Sequence, residues 1–228
     1  MIELSDGVAN ALSGFGGASA KLPRSFYVQE HELSQIELNS LYHSNWIASK
    51  AVDIPAEDMT REWRTWKSNS LTPEQLEKIT ALEFKLNYAK EVQNAIKWSR
   101  LYGGAHLYMC VDGTGKADQP LYLGNVKEGS LKLVKALDRW NTTHTGYLEY
   151  SPVSPMFGQS ELYHIVNDTE DVVINRSRLI RYEGREMPYY MKIKNTYRGE
   201  PVLQRIYKAL MNEATVFDAI AEMIHQCN

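Results

Sequence analysis

Cysteine is nearly absent from this 228-residue chain, which has only Cys110 and Cys227. They form no CxxC pair and no Cys/His group at zinc spacing, so neither a disulfide framework nor a structural zinc is expected, and a reducing compartment fits. No stretch approaches the roughly 20 consecutive apolar residues that a spanning helix needs. Met1 to Ala20 lack the basic and apolar regions of a signal peptide, so a soluble, cytoplasmic protein is expected. An excess of one charge is missing as well, since 25 basic and 28 acidic side chains leave a formal net charge of −3. Without a broad positive field, a tight grip on DNA through many phosphate contacts is not expected.

Catalytic signatures are also lacking. Of the six histidines, none lies in HExxH, and none is followed two positions on by Thr or Ser as in two-histidine phosphodiesterases. Gly113-Thr114-Gly115-Lys116 lacks the spacing of a phosphate loop and has Ala117 where a hydroxyl is required, so it reads as a turn. No GxSxG elbow occurs. Cys110 and His106 share an apolar run and read as packed side chains, the histidine with its polar atoms satisfied. No catalytic, cofactor or metal residue is assigned, no enzyme is expected, and a structural or assembly role is.

What the chain does have is apolar content, 43% hydrophobic and 11% aromatic, enough to bury a sizeable core. Residues 1–21, rich in Gly, Ser and Ala, read as a flexible arm. From Ser34, an N-cap, the apolar positions Ile36, Leu38, Leu41, Tyr42, Ile47, Ala51 and Val52 predict an amphipathic helix ending before Pro55. A further helical turn then carries Glu57, Asp58, Arg61 and Glu62. Thr72-Pro73-Glu74-Gln75 starts the next helix, with a Thr cap, Pro at the first position and a capping-box Gln. Leu76, Ile79, Leu82 and Leu86 are expected to form its buried stripe, and Val92, Ala95, Ile96 and Ser99 continue after a break near Asn87.

Gly103-Gly104 predict a direct turn into a strand over Ala105–Val111, closed by Asp112-Gly113. Shorter strand-like runs follow at Leu131–Leu137, Leu162–Val166, Val172–Ile174 and Leu179–Tyr182. Val202, Leu203, Ile206, Tyr207, Leu210, Phe217, Ile220 and Ile224 then recur at the spacing of one helix face. The expected fold is α+β, with helices flanking a small, mostly antiparallel β region and a long amphipathic helix at the end. Its divisions are 1–21, an arm; 22–199, the α+β domain; and 200–228, the final helix.

Three clusters stand out as candidate sites. Asp53, Glu57 and Asp58 share a helix face, but their spacing to Arg61 suits ion pairing better than acid/base or metal chemistry. Trp63 and Trp66, with Arg61, Arg64 and Lys67, could stack on bases. Without a basic background, they read instead as packing anchors or a subunit contact. Arg178 and Arg181 flank apolar strand residues so that their charge is expected to face away from the core. Together with Trp46, the residues Asp53, Glu57, Asp58, Arg61, Trp63, Trp66, Arg178 and Arg181 are the candidate subunit-interface set.

The segment Asn45-Trp46-Ile47-Ala48-Ser49-Lys50-Ala51-Val52-Asp53-Ile54-Pro55-Ala56-Glu57-Asp58-Met59-Thr60-Arg61-Glu62-Trp63 resembles the W-x-A-x-K-x-V-D-x-P-A-E-D-M-x-R-x-W segment of tailed-phage portal proteins. Arg100-Leu101-Tyr102-Gly103-Gly104-Ala105 is similar to that family's glycine pair before a core strand, and Leu137-Asp138-Arg139-Trp140 to its next landmark. Pro155-Met156-Phe157-Gly158 and Ser177-Arg178-Leu179-Ile180-Arg181-Tyr182-Glu183-Gly184 resemble its paired-strand region. The likeness covers residues 34–228. It departs at Tyr197-Arg198-Gly199, where relatives commonly carry a Trp-Gly pair.

The resemblance implies the wing and partial stem of a portal subunit, with the return stem helix, clip, channel-lining helix and crown lying beyond the matched region. Such subunits form a ring, usually dodecameric, by a head-to-tail contact that closes on rotation. The ring sits at the capsid vertex of the virion after assembly in the host cytoplasm. It is the conduit for packaging and ejection of double-stranded DNA, which passes without sequence-specific binding. The implied partners are copies of the chain, the major capsid protein, terminase and the head-tail connector proteins, with no cofactor and no membrane. An alternative role is a truncated prophage portal-like protein that interferes with portal assembly or packaging of other phages. Some family members are linked to anti-CBASS activity through a cyclic-nucleotide-cleaving domain, whose paired His-x-Thr or His-x-Ser motifs this sequence lacks.

Overall fold

The structure, a computed structural model, describes residues 32–146, 148–151, 153–154, 157–166 and 171–227. The chain divides into two units, Met1–Leu33 and Ser34–Asn228, and all the described helices and strands lie in the second. The expected arm over 1–21 and the Pro155-Met156 pair lie outside the described residues. Four helices come first: α1 (Gln35–Ser44), α2 (Trp46–Arg61), α3 (Pro73–Lys85) and α4 (Tyr88–Tyr102). The strands are β1 (Gly104–Val111), β2 (Leu131–Asp138), β3 (Thr142–Thr145), β4 (Leu162–Ile165), β5 (Val172–Asn175) and β6 (Leu179–Glu183). A short α5 (Tyr189–Lys194) and a long α6 (Val202–Cys227) complete an α+β fold.

Ser34 caps α1 as expected: its hydroxyl accepts from the Glu37 N–H at 3.3 Å while the Glu37 carboxylate accepts from the Ser34 N–H at 2.8 Å. The single helix expected up to Pro55 is instead two. Asn45 closes α1 by donating its backbone N–H to Leu41 O at 3.0 Å. It also opens α2, its side-chain oxygen accepting from the N–H groups of Ile47 and Ala48 at 2.9 and 3.1 Å.

Pro55 does not end a helix, because α2 runs through it to Arg61. An interior proline has no N–H for the carbonyl four residues back, here Ala51 O. Arg100 on α4 supplies the missing donor, with Nη2 donating to Ala51 O at 2.7 Å and Nε to Val52 O at 3.2 Å. Arg100→Met is therefore expected to cost about 1–3 kcal/mol. The cost should shrink in a Pro55→Ala background, where the helix regains its own donor. A double-mutant cycle by urea denaturation measures this coupling, and equal losses in both backgrounds would refute it.

α4 lies across the first sheet, whose order is β2-β1-β6 with both pairings antiparallel. Ala95 of α4, Leu107 of β1 and Val134 of β2 form its buried core, and Val92, Leu86 and Tyr182 pack around them. Glu91, on the same helix face, is buried yet matched, accepting from the Ala136 N–H at 2.8 Å and pairing with Lys135 at 3.1 Å. The second sheet, β3-β4-β5, is also antiparallel. Its β3 is not among the strands expected from the sequence, because Thr-Thr-His-Thr has no apolar alternation. The stripe on α3 is not buried either: α3 has no buried residue and Leu82 is exposed, since the helix packs chiefly on α4.

Gly103 ends α4 in the left-handed conformation at φ 81° and turns the chain straight into β1, as expected. Gly103, Gly184 and Gly199 cross there backbone to backbone. A Cβ on Gly184 would lie 2.6 Å from Gly103 Cα, and one on Gly199 would lie 2.6 Å from the Gly184 backbone. The Gly184 N–H donates to Gly103 O at 3.1 Å, and Arg185 and Glu200 exchange backbone hydrogen bonds beside it. The end of β6 and the approach to α6 are thereby pinned to the start of β1. Leu203 and Leu210 are buried in the first half of α6, which packs on α2 and α4.

Candidate assembly surface

On α2 the acidic cluster is a set of ion pairs. Lys97 of α4 reaches Asp53 at 3.3 Å and Glu57 at 2.8 Å, and its side chain is only 12% exposed. Burial opposes that charge, but the two carboxylates outweigh it and raise the Lys97 pKa. Asp53 also accepts from the Tyr42 hydroxyl at 3.0 Å. Burial and this bond push the Tyr42 pKa up to about 12. Asp58 pairs with Arg61 at the surface. Trp46 is 63% exposed, with the Lys50 ammonium 4.9 Å from its ring centre.

The segment after α2 is tied to α3 by one carboxylate. Glu83 accepts from both indole N–H groups, Trp63 and Trp66, each at 3.2 Å, and from Arg64 Nε at 3.0 Å. Burial works against the Glu83 charge, but the guanidinium and the two indoles hold its pKa below the ordinary carboxylate range. The Arg64 guanidinium lies over the rings of Trp66, Tyr88 and Trp63 at 4.4, 5.1 and 5.2 Å. The polar edges of this run are thus largely spent inside the chain. What stays open is apolar, a shallow groove lined by Trp66, Leu76, Ala81 and Phe84, with Phe84 89% exposed.

Arg178 and Arg181 correct the expectation from sequence, because neither turns its charge away from the interior. Arg178 is 2% exposed and makes five hydrogen bonds, to the carbonyls of Val111, Thr114, Lys116 and Gln119 and to the Thr114 hydroxyl. Those acceptors lie at the end of β1 and on the loop after it, which forms no ladder of its own and needs a donor with several N–H groups. The Gly113–Lys116 turn is therefore built around an arginine. Arg181 donates to Gly158 O and Tyr197 O and lies 3.5 Å from Glu183.

The outer half of α6 differs from everything before it. Each side chain from Ala214 to Gln226 is exposed. Val216, Phe217, Ile220, Met223 and Ile224 recur three and four apart and are between 42% and 60% exposed. They form one apolar stripe about 12 Å long. Beyond Lys208 the only charged groups on α6, apart from His225, are Glu213, Asp218 and Glu222. Glu213 accepts from the Asn45 side chain at 3.2 Å and so ties the middle of this helix to the start of α2.

Lys97 and Glu83 organise this surface, and Gly199 the backbone crossing, without standing out in the sequence. The signal of Lys97 and Glu83 is weak, since each is a charged residue on a helix beside apolar ones. Gly199 shows only as part of a departure from the family pattern. Among the described residues no group of His, Cys, Asp and Glu could hold a metal, and no helix is long and apolar enough to cross a membrane.

The described residues thus form an α+β body that carries an exposed apolar helix face. The chain belongs to the phage portal protein family, whose model matches residues 36–228. It is similar to two proteins named Anti-CBASS protein Acb1. One, from Caulobacter sp. (strain RHG1), is 33% identical over 232 residues, which is 98% of this chain and 35% of that protein. The other, from Sphingomonas paeninsulae, is 30% identical over 225 residues, 97% of this chain and 35% of that protein. An uncharacterized protein of Haemophilus influenzae is 31% identical over 185 residues, 78% of this chain and 41% of its own length. The chain thus spans about a third of the length of the first two relatives.

Proposed function

We propose that residues 34–228 are the wing and first stem helix of a portal-ring subunit, which assembles in the host cytoplasm and ends at the capsid vertex of the virion. The ring would be the conduit for double-stranded DNA, with the major capsid protein, terminase and connector proteins as its other partners. The observation carrying this reading is the uncovered stripe of α6. Removing five half-exposed apolar side chains from water is worth on the order of 5 kcal/mol per copy. That is comparable to the whole stability of a small domain, so leaving the stripe wet has a real cost.

The acidic bias of the same half-helix supports a DNA path without adhesion, because Glu213, Asp218 and Glu222 repel phosphates. Trp46, Asp58, Arg61 and Trp66 are exposed and remain candidates for contacts between subunits. Asp53, Glu57, Trp63, Arg178 and Arg181 already bind partners within the chain. The anti-CBASS name belongs to the relatives. We assign the third of their length that this chain matches to a portal-like role, because the family model covers that region.

Light scattering on the purified chain tests the stripe. The wild-type chain should run as a defined oligomer, and Phe217→Asp or Ile220→Asp should run as a monomer with unchanged circular dichroism. Both side chains are exposed within one copy, so the fold should not suffer. A monomeric wild type, or variants of unchanged mass, would contradict the reading.

A further inference from the structure

Between the two sheets lies a polar spot that the assembly reading does not use. His106 of β1 is 4% exposed, and both of its ring nitrogens are buried without a hydrogen-bond partner. Its ring packs 5.0 Å from that of Tyr163 on β4. Leaving such atoms unmatched in the interior is costly, so something polar should meet them. His106 lines a cavity of about 10 Å³ with Tyr163, Arg181, Arg198, His144 and Thr196. That is room for one body the size of a water molecule.

The walls decide which kind of body. Two guanidinium groups face the cavity, and no described lining residue is acidic. Arg198 donates to Arg139 O at 3.0 Å and Thr142 O at 2.8 Å, and Arg181 donates to Gly158 O at 3.4 Å and to Tyr197 O and lies 3.5 Å from Glu183. Each fork has five N–H donors, more than these bonds consume. Burial, with Arg139 and Arg181 nearby, pushes the Arg198 pKa down to about 10, while Glu183, beside Arg181, offsets part of the positive charge. A cation would be repelled there, and a phosphate, sulfate or carboxylate is too large.

We propose that this cavity is a site for a single halide ion, chloride in solution, held by His106 and the guanidinium groups of Arg181 and Arg198. The ion accepts hydrogen bonds from β1, β6 and the segment before α6 at once, and so ties that segment to the first sheet. The site is independent of ring formation, and either claim can fail without the other.

Thermal melting of the full chain in sodium chloride against sodium gluconate, at equal ionic strength, tests the site. The Tm should rise with chloride and saturate after a shift of about 2–5 °C. His106→Leu should abolish the chloride-dependent part. Crystals soaked in sodium bromide should give a bromine anomalous peak beside His106, a readout that does not depend on the variant folding. Equal melting in both salts, a shift that survives His106→Leu, or water density in place of bromine would each overturn the proposal.

Discussion

Arg178→Ala should destabilise the fold by about 3–5 kcal/mol, more than the loss expected for Arg100→Met. The guanidinium is the shared donor for four carbonyls and a hydroxyl between Val111 and Gln119, so truncation strands several buried acceptors together. Arg178→Lys should recover little, because an ammonium cannot spread its protons over acceptors set in a fork. The effect should be local before it is global. Hydrogen exchange should accelerate first over residues 111–119, and the urea midpoint should fall with little change in slope. A loss within about 1 kcal/mol would mean that water replaces the guanidinium without strain.

His106 should make the fold acid-sensitive well above the carboxylate range. Burial, reinforced by the charges of Arg198 and Arg181, pushes its pKa down to about 3. An unfolded chain releases it to about 6.5. Between those values the unfolded state binds a proton that the folded state refuses. The full stability is therefore present above about pH 6.5 and drains by about 1.4 kcal/mol per pH unit as pH falls towards 3. His106→Phe keeps a ring against Tyr163 and removes the titration. The wild-type stability curve should thus fall more steeply than the variant's between about pH 6 and 4, by one proton's worth of slope. The two curves should be measured in gluconate buffer, where no halide can offset the charge. Parallel curves would mean that the imidazole is protonated in the folded state.

Both effects arise from side chains whose surroundings the sequence does not disclose, and for a common reason. Local signals are legible: Ser34 and Thr72 start their helices as capping boxes, Gly103 turns α4 into β1, and α6 follows its apolar spacing. Signals completed by a distant residue are not. Pro55 reads as a helix end unless Arg100 is known to supply the stranded carbonyl with a donor. Arg178 reads as surface charge unless the loop after β1 is known to fold back on it. His106 reads as a core residue and is one, yet its nitrogens, expected to be satisfied, have no partner among the described residues. The α3 stripe has helical spacing but too little neighbouring structure to bury it.

The candidate site follows the same pattern. The family segment from Asn45 to Trp63 is legible, and α2 carries Trp46, Asp53, Glu57, Asp58 and Arg61 on one helix. Which side chains stay free depends on Lys97, which takes Asp53 and Glu57, and on Glu83, which takes Trp63 and Trp66; both lie on other helices, and no local pattern selects them. The apolar face of the final helix is legible as periodicity. That its outer half is not covered by any other described residue emerges only from the packing.

Electron microscopy of the purified chain tests ring formation most directly. Class averages should show closed particles with a central opening and one rotational symmetry, as a head-to-tail contact that returns on itself requires. Single compact particles, or open filaments of unlimited length, would contradict it.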